Sequence, residues 1–238
     1  MLGLLGKKMG MAQVFDKDGS QVPVTVVLAG PCTVVQRKTK ETDGYDALQL
    51  GFKKAKPTRL PKALRVHYEK KGIEPFVYLR EFRTELANAF EVGQIFTVSA
   101  FKPGDIVDVV GVTKGRGFQG VIKRHGKHGG PASHGSDFHR RTGSIGMRTW
   151  PARVFKNTRL PGHMGVDRVT VNNLEVIDVR PQDDALLLKG AVPGAKGGLI
   201  IIVNRTKDFE KRDELRSRKK EKAQDENKQE SKEEEKQQ

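Results

Sequence analysis

The sequence predicts a mainly β fold, a barrel or sandwich of short strands with a little helix, interrupted by one long irregular insertion. Three observations predict it. Short apolar runs, several alternating with period two, recur along the chain between Gly, Pro and Asp-Gly turns. One segment, 61–71, has helix-boundary residues at both ends. Strand-like runs also flank both sides of 111–165, which itself has little apolar content.

The elements follow in order. Residues 9–29 read as a hairpin turning at Asp16-Lys17-Asp18-Gly19, with Val22, Val24, Val26 and Leu28 on one face. Thr33–Lys40 and Tyr45–Lys53 suit a second hairpin around Thr42-Asp43-Gly44. Pro61 in the first turn and Gly72 after the last residue bound a short helix over 61–71. Phe76–Phe82, Gln94–Phe101 and Asp105–Thr113 read as strands, as do Arg168–Val179 and Leu186–Lys189. The continuous apolar run Leu199–Val203 suits a strand buried on both faces.

Charge singles out the insertion. Gly111–Gly165 holds eleven Lys or Arg, one acid (Asp137) and twelve of the 26 glycines. Its net +10 is most of the chain's +15, whereas 1–110 carries +5, 166–204 carries −1 and 205–238 carries +1. A local excess marks a binding footprint. A segment so charged and so poor in apolar residues cannot fold alone, and a polyphosphate is the counterpart it needs. Fully extended, the excursion reaches up to ~80 Å at ~3.3 Å per residue.

Composition excludes other classes. Cys32 is the only cysteine, so no disulfide forms within the chain, and a buried apolar role suits it. The start, MLGLLGKKMG, is too short and glycine-rich for a signal peptide. No apolar run approaches the ~18 residues that span a bilayer. A cytoplasmic protein with no membrane partner is expected. From Thr206 the chain becomes a mixed-charge tail, expected to be a frayed helix that passes into disorder by about Gln224.

Several motifs fail on context. Gly115-Arg116-Gly117-Phe118-Gln119-Gly120 matches the dinucleotide fingerprint, but VIKRHGKHGG after it is a poor helix. Arg116-Gly117-Phe118 lacks the second half of the RNA-recognition-motif signature. Asp16-Lys17-Asp18-Gly19 lacks the Glu that closes a calcium loop. His125, His128, His134 and His139 alternate with glycines and bases, without zinc spacing. No nucleophile elbow surrounds Ser133, Ser136 or Ser144. No cofactor, metal or catalytic residue is expected.

The bases remain. Arg116, Lys123, Arg124 and Lys127 are expected to hold phosphates along the arm's base, with Lys7, Lys8 and Lys114 beside them. Arg140, Arg141, Arg148, Arg153, Lys156 and Arg159 are expected to do so toward and beyond the tip. A guanidinium fork pairs two phosphate oxygens or stacks on a base. His128, His134 and His163 join the candidate contacts, as does Trp150, the only tryptophan, through stacking. With no recognition helix visible, RNA is favoured over DNA.

Phe101, Asp108, Gly111, Thr113, Gly115, Arg116, Gly117, Gly120 and Arg124 together resemble the signature of the third protein of the large ribosomal subunit, a universal family. The opening MLGLLGKKMGMAQVF, GSIGMRTWPARVF at 143–155 and LLLKGAVPGAKGGLIIIV at 186–203 resemble its bacterial branch. The resemblance covers 1 to about 205. It implies a six-stranded closed β-barrel with a small inserted subdomain, and an irregular extension reaching toward the peptidyl-transferase centre. On that basis the body is 1–56 with 94–113 and 166–204, the α+β subdomain is 57–93, the basic extension is 114–165 and the charged tail is 205–238. It further implies binding to the 3′ region of the large-subunit (23S) ribosomal RNA early in assembly, with ribosomal proteins fourteen and nineteen as neighbours and no homo-oligomer. Many bacterial members resemble one another in a Gly-Gln-Asn-Gln-Thr-Pro tip with a methylated glutamine. Here the tip is Gly146-Met147-Arg148-Thr149-Trp150-Pro151, and Thr149 cannot carry that methyl group. An RNA-modifying enzyme with a basic arm is the rival reading, but the arm is nearly devoid of acids. A ribosome-visiting translation factor is the other, and it would normally bring a Walker motif, which is absent.

Overall fold

A computed structural model describes residues 3–16, 18–84 and 87–205. It is rich in strand and poor in helix. β1 (Gly3–Phe15) turns at 16–20, where Gly19 N donates to Asp16 O at 2.9 Å, into β2 (Gln21–Ala29). The expected hairpin is present and begins earlier, at Gly3, with Val22, Val24, Val26 and Leu28 on one face of β2. Thr25, Val27 and Ala29 are fully buried, as is Val24, while Val26 and Leu28 are half-buried. Both faces of β2 carry apolar residues, so alternation in composition does not say which is the more buried.

Six strands pair in a ring, every pair antiparallel. β1 lies between β2 and β12 (Leu199–Asn204), and β12 pairs with β7 (Ile106–Val112). β7 pairs with β10 (Arg168–Arg180), β10 with β11 (Ala185–Lys189), and β11 returns to β2. The ring is uneven, with nine paired positions along β1–β2 and four along β10–β11. The register shifts between Lys8 and Gly10, Val171 and Leu174, and Val176 and Asp178. Leu4, Leu5, Val107, Val109, Leu186, Leu188, Ile200 and Ile202 fill the interior. β12 is not buried on both faces as expected: Leu199, Ile201 and Val203 are half-buried, packed against the same cluster. Asp108 is buried on β7, where it accepts from Asn173 N at 3.0 Å and lies 2.9 Å from Arg205 Nε. The charged tail beyond Arg205 lies outside the described residues.

A second sheet runs in the order β5 (Phe76–Arg83), β4 (Ala47–Lys54), β3 (Cys32–Lys38), β6 (Ile95–Phe96). β3 and β4 form the expected second hairpin. They are joined by the one-turn helix α1 (Lys40–Asp43), which ends at Gly44 with φ 79. They hydrogen-bond within this sheet and not within the ring, although 32–54 was expected with the body. Hydrophobic pattern alone does not say which partner a strand finds. The strand expected over 94–101 shrinks to β6, followed by a 3-10 turn at Val98–Ala100. α2 (Lys62–Lys71) lies where expected, between Pro61 and Gly72 at φ 64. Tyr68 on α2 joins Val35 and Phe76 in a small second core.

The two sheets share one main core, in which Leu4 and Leu5 meet Val34, Leu48, Phe52, Phe82 and Phe96. Gly3 permits the contact, because a Cβ there would overlap the Phe82 ring and lie 2.7 Å from Ile202 O. Cys32 is buried beside it with Sγ 3.4 Å from Leu5 O, and burial pushes its thiol up to about 12. It stays protonated and acts as a packing group. Among the described residues, no helix is long and apolar enough to cross a membrane.

Candidate nucleic-acid interface

The basic segment is the loop of a β-hairpin made by ring strands. Val112 pairs with Arg168 and Gly111 with Val169, so 113–167 leaves and re-enters between neighbours, as expected of an insertion. The limbs stay zipped beyond the ring. Thr113 N donates to Asp167 O at 2.9 Å, Asp167 N donates to Thr113 Oγ1 at 3.1 Å, and Arg116 N donates to Met164 O at 2.9 Å. β8 (Gly117–Gln119) then pairs with β9 (Gly162–Met164). This pairing makes the middle of the glycine-rich fingerprint, Gly117–Gln119, a strand of a two-stranded ribbon. The helix after it is short, as the poor helical pattern of 121–130 implies. α3 (Val121–His125) is ended by Gly126 at φ 66.

Arg124 bridges the two limbs. Its Nη1 donates to Leu160 O at 2.9 Å, and His125 Nε2 lies 3.1 Å from the same oxygen. The guanidinium crosses Gly162, where a Cβ would come within 2.6 Å of Nη1. Past this point, Phe138 sits against Gly130 and Gly143, and Gly130 N donates to His139 O at 2.7 Å. Within 114–165 only Val121 and Gly165 are buried. The arm therefore has hydrogen-bonded limbs and no core of its own.

The candidate residues separate by position. Lys114, Arg116, Lys123 and Arg124 are exposed along the root and first limb, with His163 exposed opposite them, and Lys127 is half-buried. His128 and His134 are exposed in the loop, as are Arg140, Arg141, Arg148, Arg153, Lys156 and Arg159. None of the eleven arm bases takes part in an ion pair among the described residues. Lys8 differs, since its ammonium donates to Val192 O at 2.6 Å and Gly194 O at 3.3 Å. Burial lowers its pKa, and the Lys114 charge adds to that. It ties the 192–194 loop to β1. Lys7 points elsewhere, into a cavity of about 530 Å³ between ring and second sheet, lined also by Leu28, Phe52 and Tyr78. The two lysines alternate across β1 and do not form one site. A smaller recess of about 360 Å³ at the root is lined by Thr113, Lys114, Arg116, Met164, Gly165, Asp167 and Gly194.

Sequence reasoning missed part of the aromatic set. Trp150 is 85% exposed, but Phe118 at 75% and Phe155 at 53% stand open as well, with Arg153 5.7 Å above the Phe155 ring. The signal was lone aromatics among bases, a pattern that suits stacking on unpaired nucleotides. Among the described residues, no three His, Cys, Asp or Glu side chains converge as a metal site.

Residues 81–191 match the profile of the family described as Ribosomal protein L3. Three bacterial proteins named large ribosomal subunit protein uL3 are similar over most of the chain. Those of Pelotomaculum thermopropionicum and Carboxydothermus hydrogenoformans are 56% and 52% identical over 200 residues, covering 84% of this chain and 95% of each relative. That of Thermotoga maritima is 54% identical over 199 residues, at 84% and 95%. At that identity over nearly the whole of the relatives, the chain belongs to the ribosomal protein L3 family, bacterial type.

Proposed function

We propose that this protein is a structural component of the large ribosomal subunit whose 113–167 arm takes its final shape from ribosomal RNA. It binds RNA and is not an enzyme. The observation that carries the reading is the arm's eleven bases, with no core and, among the described residues, no ion pair. Free energy comes mainly from phosphate neutralisation, at roughly 0.7–0.9 in salt slope per contact. Lys114, Arg116, Lys123, Arg124, Lys127, His128 and His163 hold the RNA near the root. His134, Arg140, Arg141, Arg148, Trp150, Arg153, Lys156 and Arg159 hold it around the tip. Lys7 and Lys8 contribute separately, from opposite faces of β1.

The finer family expectations belong to the same reading. The six-strand ring serves as a closed barrel that aims the arm. The body, the inserted module, the arm at 114–165 and the tail act as separate parts. The RNA is the 3′ region of the large-subunit RNA, engaged early in assembly in the cytoplasm, with the arm buttressing RNA near the peptidyl-transferase centre. Ribosomal proteins fourteen and nineteen are the neighbours. Limited proteolysis tests the core of this reading. With RNA at about 100 times its Kd, cleavage within 126–159 should slow about 100-fold relative to free protein. Equal cleavage in both states would sink it.

Trp150 carries a second expectation. Trp150→Ala should weaken RNA binding by roughly 1–3 kcal/mol and leave the salt slope unchanged, because stacking releases no counterions. Titration at several salt concentrations checks both halves. Unchanged affinity would remove Trp150 from the interface.

A further inference from the structure

A second basic surface lies outside the arm. Residues 53–71 contain eight bases and one acid, Glu69. That density exceeds the arm's. These residues form the end of β4, a 3-10 turn at Pro57–Arg59 and helix α2. They pack on the small core of Val35, Tyr68 and Phe76, with Leu60, Ile73 and Leu79 around it. Leu60 and Tyr68 face this core, whereas Leu64 and Val66 on α2 are partly exposed among the charges. Lys53, Lys54, Lys56, Arg59, Lys62 and Lys70 are all exposed. Among the described residues only Lys54 of these six pairs with an acid, Glu74, and both members of that pair are more than half exposed, so it is weakly held. Among the described residues the other five take part in no ion pair. Lys71 is engaged, donating to Val35 O at 3.2 Å, and Arg65 is half-buried.

We propose that Lys53, Lys54, Lys56, Arg59, Lys62 and Lys70 form a second RNA contact, independent of the arm, that grips the sugar–phosphate backbone of a double-helical segment. The inference rests on the RNA-binding reading above and adds the kind of RNA. The arm interleaves bases with exposed Phe118, Trp150 and Phe155, a surface for unstacked nucleotides. The module exposes no comparable ring. Tyr68 is buried, and His67 is partly covered, its pKa lowered by burial and then by Lys71, which favours the neutral ring. Cations without stacking partners hold phosphates and do not read bases. Lysine is depleted from the centres of protein–protein interfaces, which argues against an acidic protein partner.

The test uses full-length protein and a transcript of the large-subunit RNA. All six residues are changed to Gln, and in a second variant the five lysines become Arg with Arg59 kept. The Gln variant should lower the salt slope by about 4–5. It should also erase hydroxyl-radical protection on a helical RNA segment while the arm's protection persists. The Arg variant should keep slope and footprint, which excludes misfolding as the cause. An unchanged slope, or loss only of a protein neighbour from reconstituted subunits, overturns the proposal and leaves the arm reading intact. Loss of both footprints together refutes independence. Loss of the arm's footprint alone places the fault in both readings.

Discussion

Replacing Arg140, Arg141, Arg148, Arg153, Lys156 and Arg159 together with Gln should cost about 10³ in RNA affinity at 0.15 M salt. The same variant should flatten the plot of log affinity against log salt by about 4–5, at 0.7–0.9 for each phosphate released. The body should be unaffected, because all six side chains are exposed and none takes part in an ion pair among the described residues. Surface changes of that kind usually stay within about 0.5 kcal/mol each. Binding isotherms between 50 and 200 mM salt measure the slope, and thermal unfolding of the body serves as the control. Changing the five arginines to Lys separates charge from fork geometry: slope should survive while affinity falls. A Gln variant with the parent slope would mean that these groups face water in the complex.

What could be read from the chain depended on how local the signal was. The helix at 62–71 was legible because Pro61 and Gly72 are punctuation within the segment itself. The hairpins at 9–29 and 33–53 were legible for the same reason, each closing on a Gly-containing turn, although β1 begins earlier, at Gly3. The place of the arm was legible because strand-like runs flank it, and Val112 does pair with Arg168. Sheet membership was not. Assigning Cys32–Lys38 to the second sheet requires knowing that Cys32 and Thr33 meet Phe96 and Ile95, some sixty residues away. β8 and β9 were invisible in the same way, since two three-residue strands more than forty residues apart have no pattern to betray them.

The candidate site shows the same limit in its charges. The arm's bases were found because their excess is undiluted. The module at 53–71 was missed because its charge was averaged over 1–110 into a modest +5. Lys8 was placed with the phosphate contacts on composition alone. Its engagement by the Val192 and Gly194 carbonyls depends on a loop that returns from the far end of the chain.

Gly165 is where arm and body meet, and Gly165→Ala should uncouple them. Its φ of +83 is one that L residues rarely adopt, and a Cβ there would overlap Lys114 O and lie 3.0 Å from both Arg116 N and Gly115 Cα. Left-handed backbone costs roughly 1–2 kcal/mol and overpacking roughly 1–3, so about 2–5 kcal/mol of strain falls on this joint. The ring is buried behind it and the zipped root has few bonds, so the root should yield first. Amide exchange at Thr113 and Arg116 should speed up by 30-fold or more, at about tenfold per 1.4 kcal/mol, while the body's unfolding transition stays nearly in place. RNA affinity should fall although no base has been removed, because the arm's charges are then presented at variable angles. Parent-like exchange at Thr113 and Arg116 with parent-like affinity would show that the root tolerates a methyl group. Aim would then be set further out, at the crossing of Arg124 over Gly162.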